Sequence, residues 1–224
     1  MLSLILPIYN QACELKKNFT RIVTELEKAK KSRKIPYEIL IVEESIDSTP
    51  EIAQQLEKKY PFVRHFHSDI RLGKGGAIML GIRKAKGELV AFTDIDLAAD
   101  IAELPKFIDA LKNNDIAVGL RIAKRSLHRK LLGSAYVALC RLMFGIPVRD
   151  LQCGFKVFRR SAVVPLLPRI KTASFVWDTE FLLRATQAGL RIAEIPVAWQ
   201  ETSKLTKAHM RMPLELIWLW LSDS

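Results

Sequence analysis

Apolar positions along this chain fall into two patterns: short unbroken runs, and longer stretches at helical spacing. Residues 2–8 form a continuous apolar run ended by Pro7 and Asn10, which predicts a buried strand. Over 14–31, Leu15, Phe19, Ile22 and Leu26 recur at helical spacing and predict an amphipathic helix. Its basic tail (Lys28, Lys30, Lys31, Arg33, Lys34) suits a helix C-terminus. The pattern then predicts a strand over 37–42, a helix over 49–59 with Pro50 near its start, and a strand over 62–66. A glycine-rich turn at 73–76 opens a helix through Ala85, followed by a strand over 89–93, a helix over 103–112 and a strand over 116–119. The second half is less regular. A basic loop runs into a helix over 125–144, then come a strand over 154–159, a helix over 178–188 and a strand over 191–198.

Strand–helix alternation with short connections implies an α/β fold, with a mostly parallel sheet flanked by helices. Ligands of such sheets bind outside the carboxyl ends of the strands. The informative polar residues sit there: Tyr9 and Asn10 after the first strand, Glu43 to Asp47 after the second, Asp94 and Asp96 after the fourth.

A length of 224 residues suits one domain with an appendage, placed here at 1–210 and 211–224. The excess of 35 Lys+Arg over 24 Asp+Glu, +11 at pH 7, favours phosphorylated ligands, nucleic acid or an anionic membrane. No aromatic-rich strand or nucleic-acid motif accompanies the charge, so nucleic acid is not expected as a partner. Cys13, Cys140 and Cys153 lack metal-ligand spacing and read as reduced thiols of a cytosolic protein. His65, His67, His128 and His209 form no ligand pattern and are assigned no role, and Trp177 and Trp199 read as packing residues. Neither a signal peptide nor a membrane span is visible. The segment 213–221, P-L-E-L-I-W-L-W-L, is apolar and tryptophan-rich; it suits either a bilayer interface or a terminal helix docked on the core or on a second subunit.

Two segments carry chemistry. F-T-D-I-D ends a buried strand with Asp94 and Asp96 flanking Ile95. Carboxylates this close repel, and a divalent cation (Mg²⁺ or Mn²⁺) bridging to a diphosphate relieves the repulsion; a solvated loop is the other reading. R-L-G-K-G-G-A, with Gly73 and Lys74, brings backbone N–H groups to a helix N-terminus that would favour an anion, or forms a tight turn. It matches neither the P-loop nor the dinucleotide fingerprint.

P-I-Y-N (7–10), I-V-E-E-S-I-D-S-T (41–49), R-L-G-K-G-G-A (71–77), T-D-I-D-L (93–97), R-D-L-Q-C-G-F-K (149–156) and W-D-T-E-F-L-L (177–183) occur in that order. Together they resemble the inverting family 2 glycosyltransferases. The similarity is strongest to the dolichyl-phosphate sugar synthases of the glucosyltransferase type, through G-K-G-G-A and Q-C-G-F-K, and runs over 2–205. The resemblance implies a GT-A, Rossmann-like fold. It implies that Pro7, Tyr9 and Gln11 lie along the nucleotide and that Glu43 bonds the base. It places Asp94, Ile95 and Asp96 at the diphosphate, with Asp94 and Asp96 holding the metal and Asp96 catalytic. Asp178 matches a catalytic base or acceptor-binding acid, and Ser203 and Lys204 match residues that close near phosphate. Three departures stand out. Gln11 replaces the usual Glu; E-E-S-I-D is one residue shorter than the usual acidic loop; and Ala98 stands where mannosyl-type synthases often carry Gln.

A phosphate acceptor is already anionic and needs charge compensation, for which Arg121, Arg125, Arg129, Lys130, Arg149 and Lys156 are candidates, joined by Lys204. A hydroxyl acceptor needs a base, for which Asp178 is the candidate, although Asp178 could instead cap the helix that follows it. The leading expectation is a metal-dependent transfer of hexose from UDP-glucose or GDP-mannose to a polyprenyl, dolichyl-type phosphate. Such an enzyme would lie peripherally at the cytoplasmic membrane face, with a membrane partner subunit or a second copy as the assembly options. The alternatives are a sugar-hydroxyl acceptor, and a non-catalytic nucleotide- or nucleic-acid-binding module.

Overall fold

The computed structural model describes residues 1–122, 127–200 and 214–221, with backbone alone for 127–132 and 134. Among these, seven strands form one sheet in the order β3-β2-β1-β4-β6-β5-β7. The strands are β1 (Leu2–Ile8), β2 (Tyr37–Glu43), β3 (Val63–His67), β4 (Leu89–Thr93), β5 (Ile116–Ile122), β6 (Phe155–Arg159) and β7 (Ile192–Ala198). Central β1 and β2 are buried along their whole length, which explains their mostly apolar sequences; among the polar exceptions, Ser3 and Glu38 bond to each other. Side chains alternate between two layers. Leu4 and Leu6 face a layer with Leu15, Phe19 and Ile22, while Ile5 faces a layer with Ile78, Trp177 and Phe181.

The helices are α1 (Ala12–Arg33), α2 (Thr49–Lys59), α3 (Gly73–Lys84), α4 (Leu104–Ala110), α5 (Leu127–Phe144), α6 (Arg160–Val163) and α7 (Trp177–Gln187). The helix expected over 103–112 is shorter, because a 3-10 turn over Ile101–Glu103 precedes it and Pro105 sits in its first turn. Strand β5 runs three residues past its expected end, since its full length pairs with β7. Strand β6 is antiparallel to both β4 and β5, whereas β1 to β4 are mutually parallel and β5 pairs β7 in parallel.

The chain leaves β1 toward β2 and β3 on one side and returns to place β4 on the other. In sheets of this kind such a reversal marks the carboxyl ends of β1 and β4 as the place where a ligand crevice is expected. Residues 214–221 form a further helix, α8. Its Leu216 and Leu219 are buried in the α3–α7 layer, so this part of the terminal segment docks on the body. Leu214, Ile217, Trp218 and Leu221 lie on the opposite, exposed face. Among the described residues no helix is long and apolar enough to cross a membrane.

Candidate active site

The crevice begins where β1 ends. Pro7 is buried within β1 in register with Val42, while Tyr9 emerges half-exposed at the rim. Asn10 takes a left-handed conformation (φ 52°), one that Asn tolerates well. From there its amide donates to Ser45 Oγ (2.9 Å) and its Oδ1 accepts from the Ile46 amide (2.9 Å). Asp47 accepts from the Ala12 amide (3.3 Å) and the Thr49 amide (3.0 Å). The loops after β1 and β2 are thus stitched together just before α1, and Gln11 sits partly buried at the N-cap of that helix. The Arg71 guanidinium lies 3.4 Å above the Tyr9 ring and pairs with Glu44, which closes this wall.

The two glutamates after β2 point apart. Glu43 is fully buried, with Oε1 2.9 Å from His65 Nε2 and 2.6 Å from His67 Nδ1 and Oε2 accepting from the Ser45 amide (2.7 Å). Burial pushes its carboxyl up, but the bonds from His65, Ser45 and His67 outweigh that and hold it below the usual range. Glu43 therefore braces β2 against β3, and the two histidines left without a role in the sequence are its partners. Glu44 turns the other way. It accepts the amides of Leu72 and Gly73 at the start of α3, while Gly75 and Gly76 donate to the Ala173 carbonyl (2.8 and 3.3 Å). In this structure R-L-G-K-G-G-A forms the tight turn, the other reading of the segment, with its amides engaged by the chain itself. The helix N-terminus does attract an anion, but the anion is the chain's own Glu44 carboxylate. Gly73 (φ +71°) serves the turn, and a side chain there would strike the Ala173 carbonyl.

Lys74 instead reaches into the crevice. Its Nζ lies 2.9 Å from Asp94 Oδ1 and 3.7 Å from Asp178 Oδ2. Asp94 follows β4 and its amide donates to the Gly154 carbonyl (3.2 Å). A Cβ on Gly154 would fall inside the Asp94 carboxylate, so the Q-C-G-F-K glycine is what lets that carboxylate sit there. Desolvation raises the Asp94 pKa; Lys74 opposes, and Asp96 and Asp178 add to the rise. Asp96 accepts from the Ala98 amide (3.1 Å), and between the two acids Ile95 is wholly buried, its carbonyl taken by Asn18 Nδ2 (2.8 Å). Two carboxylates at an open crevice, one of which already requires an ammonium beside it, are a donor set that fits a hard divalent cation.

Asp178 lies in the first turn of α7, not at its cap, which is Val176. It is buried and its Oδ1 is paired with Lys156, whose amine also donates to the Cys153 carbonyl (2.9 Å). Lys156 is fully buried, so its charge is spent inside the protein and does not face an acceptor. Arg121 is engaged by Asp150 (Nε 2.6 Å, Nη2 2.7 Å), and Arg149 by Glu194 (2.8 Å). The side chains of Arg129 and Lys130, and residues Arg125, Ser203, Lys204 and His209, lie outside the described residues, as does the side chain of His128. Trp177 is core, stacked on Phe181 with centroids 5.0 Å apart, and Trp199 packs at the edge of the other layer. Burial raises the thiols of Cys140 and Cys153 to about 11, which suits inert packing groups. No group of three or more His, Cys, Asp or Glu able to hold a metal by themselves occurs among the described residues, so a cation here would need ligand oxygens to complete its shell.

Residues 3–166 match the glycosyl transferase family 2 model. Glycosyltransferase AglD of Haloferax volcanii is 36% identical over 88% of this chain, which spans 33% of that protein. The dolichyl-phosphate beta-glucosyltransferase ALG5A of Trichomonas vaginalis is 34% identical over 96% of this chain and 72% of its own length. The human dolichyl-phosphate beta-glucosyltransferase is 32% identical over 98% and 71%. Among solved structures, glucosyl-3-phosphoglycerate synthase from Mycobacterium tuberculosis, in complex with Mn²⁺, UDP-glucose and phosphoglyceric acid, superposes with a TM-score of 0.72. That match covers 99% of this chain and 79% of the other, at 15% identity, and shows a shared GT-A fold.

Proposed function

Since the chain belongs to glycosyl transferase family 2, and is thus a glycosyltransferase, we propose that it moves glucose from UDP-glucose to a dolichyl-type phosphate with inversion. The single observation that carries the acceptor choice is the state of Asp178. A hydroxyl acceptor needs a base in contact with it, and Asp178 is buried, first paired with Lys156 and then facing Lys74. A phosphate monoester dianion needs no base. Its oxygen attacks the anomeric carbon, the bond from that carbon to the diphosphate oxygen breaks, and the products are a sugar phosphodiester and the nucleoside diphosphate. The glucose and lipid assignments are supported by similarity to dolichyl-phosphate beta-glucosyltransferases over nearly the whole chain. Ala98, at a position where mannosyl-type relatives often carry Gln, points the same way.

Asp94 and Asp96 are the residues that would hold Mg²⁺ or Mn²⁺, and that cation would neutralise the diphosphate as it leaves. Tyr9 and Arg71 form the exposed platform beside which the nucleotide would lie. Because Glu43 is bonded to His65, His67 and the Ser45 amide, Tyr9, Gln11 and the loop over 45–47 are our candidates to meet the base in its place. The exposed face of α8 supports a peripheral position at a membrane, where the acceptor resides. The test offers labelled UDP-glucose and GDP-mannose separately, each with dolichyl phosphate and Mg²⁺ or Mn²⁺. Label extracted into organic solvent from UDP-glucose alone is the expected result. Label from GDP-mannose alone overturns the sugar, and label in neither, with hydrolysis of donor continuing, overturns the acceptor.

A further inference from the structure

Lys74 stands between two carboxylates with unequal claims on it. Its amine is 2.9 and 3.1 Å from the two oxygens of Asp94. On the other side Asp178 Oδ2 waits at 3.7 Å, buried and with no hydrogen-bond partner among the described residues, while Lys156 engages Oδ1. The rings of Phe92 and Phe175 each lie 5.9 Å from the amine and wall the space it occupies. An unsatisfied buried carboxylate oxygen is costly, and here it has one mobile donor within a short swing. Asp94 has Lys74 against both of its oxygens, while Asp178 has Lys156 in addition.

We propose that Lys74 is a resident stand-in for the divalent cation, holding Asp94 when the metal is away and passing to Asp178 Oδ2 when the metal arrives. The inference rests on the reading of Asp94 and Asp96 as the metal-holding pair. Under it, Lys74 is a positioning residue. It keeps Asp94 aimed at the crevice in the empty enzyme, and its transfer satisfies the one orphaned oxygen of the site in the loaded enzyme. Two consequences follow for affinity. Cation binding must displace an ammonium, so Lys74 opposes metal in the absence of donor. Asp178 helps metal bind, because it receives the displaced charge.

The experiment is a Mn²⁺ titration of the full chain, alone and with UDP, reading unbound Mn²⁺ by its electron paramagnetic resonance signal. The Lys74→Met variant is expected to bind Mn²⁺ up to about fivefold more tightly than wild type, the scale of one partly shielded ion pair. Lys74→Gln should move the same way, and Asp178→Asn the opposite way, with weaker binding. Should Asp178→Asn fail to fold, the two Lys74 variants decide. A lysine that merely packs the site, or one that binds the diphosphate, would leave Mn²⁺ affinity without donor unchanged or lowered on removal, and that result overturns the proposal. Asp96→Asn separates the two layers of the argument. If wild type binds Mn²⁺ and Asp96→Asn does not, the metal site stands and the Lys74 result alone judges the stand-in. If wild type binds no Mn²⁺ in either condition, the metal site fails and the stand-in fails with it.

Discussion

Replacing Gly154 by Ala sets a methyl group against the carboxylate that the site depends on. The added Cβ would overlap the carboxyl of Asp94, whose side chain is 39% exposed and can rotate outward, while the backbone bond from Asp94 to the Gly154 carbonyl need not break. The stability loss should then stay near the low end of overpacking, about 1 kcal/mol, with up to about 1 kcal/mol more from losing the half-exposed pair with Lys74. For a domain of this size that is a fall of roughly 2–8 °C in Tm. The effect on turnover should be far larger, since a misplacement of about 1 Å at a reacting centre can lower the rate about 100-fold. Gly87→Ala is the contrast. Its Cβ would meet the carbonyls of Met1 and Leu89 at the far end of the sheet, so it should lower Tm and leave kcat of the folded fraction alone. Melting curves and steady-state transfer kinetics on the two variants check this. A Gly154→Ala enzyme that keeps kcat within twofold would refute the claim that this glycine exists to admit Asp94.

Other outcomes follow from buried charge and from the exposed helix. Lys156→Met strands the buried Asp178 and should destabilise the fold by about 3–5 kcal/mol, whereas Lys156→Met with Asp178→Leu should recover most of that, as read by urea unfolding. Glu43 and Asp69 raise His67 above its ordinary 6.5, against a smaller opposing effect of burial. The His67 contribution is therefore full below about pH 6.5 and fades as pH rises through the raised value, and His67→Gln should flatten that slope in urea midpoints measured against pH. Glu43, lowered, contributes above about pH 4.5 and loses its contribution as acid is added. Ile217→Ser with Trp218→Ser should abolish sedimentation with anionic vesicles and leave Tm nearly unchanged, because both side chains face outward while Leu216 and Leu219 hold the helix down.

The order of elements was legible because each central strand is an unbroken apolar run and each early helix shows its spacing. Ends moved where pairing or proline intervened, as at β5 and α4. The antiparallel entry of β6 left no mark, since F-K-V-F-R reads alike in either direction. At the candidate site, the position of Asp94 and Asp96 after a buried strand could be read from sequence, and the structure places both just past β4. The roles of Glu44, His65 and His67 could not, because their partners stand 22 to 29 residues away and only the fold joins them. Lys156 offered a signal that the composition argument overrode: a single charge inside a buried F-K-V-F strand is more often the partner of a buried acid than a surface cation.

Charge balance in the crevice ties these residues to the reaction. Lys74 lies against Asp94 and Lys156 against Asp178, while Asp96 is near enough to Asp94 to raise its pKa. A nucleoside diphosphate entering such a site would bring further negative charge beside these carboxylates. Residues Arg121 and Arg149, counted among the cations from sequence, are committed to Asp150 and Glu194 and offset little of it. Under the proposed reading, Asp94 and Asp96 would hold a divalent cation, and that cation would supply positive charge toward the diphosphate as it leaves the sugar. The same balance bears on the acceptor. Asp178 is engaged inside the protein by Lys156, which supports the proposed acceptor, a nucleophile that arrives already ionised and needs no base from this residue.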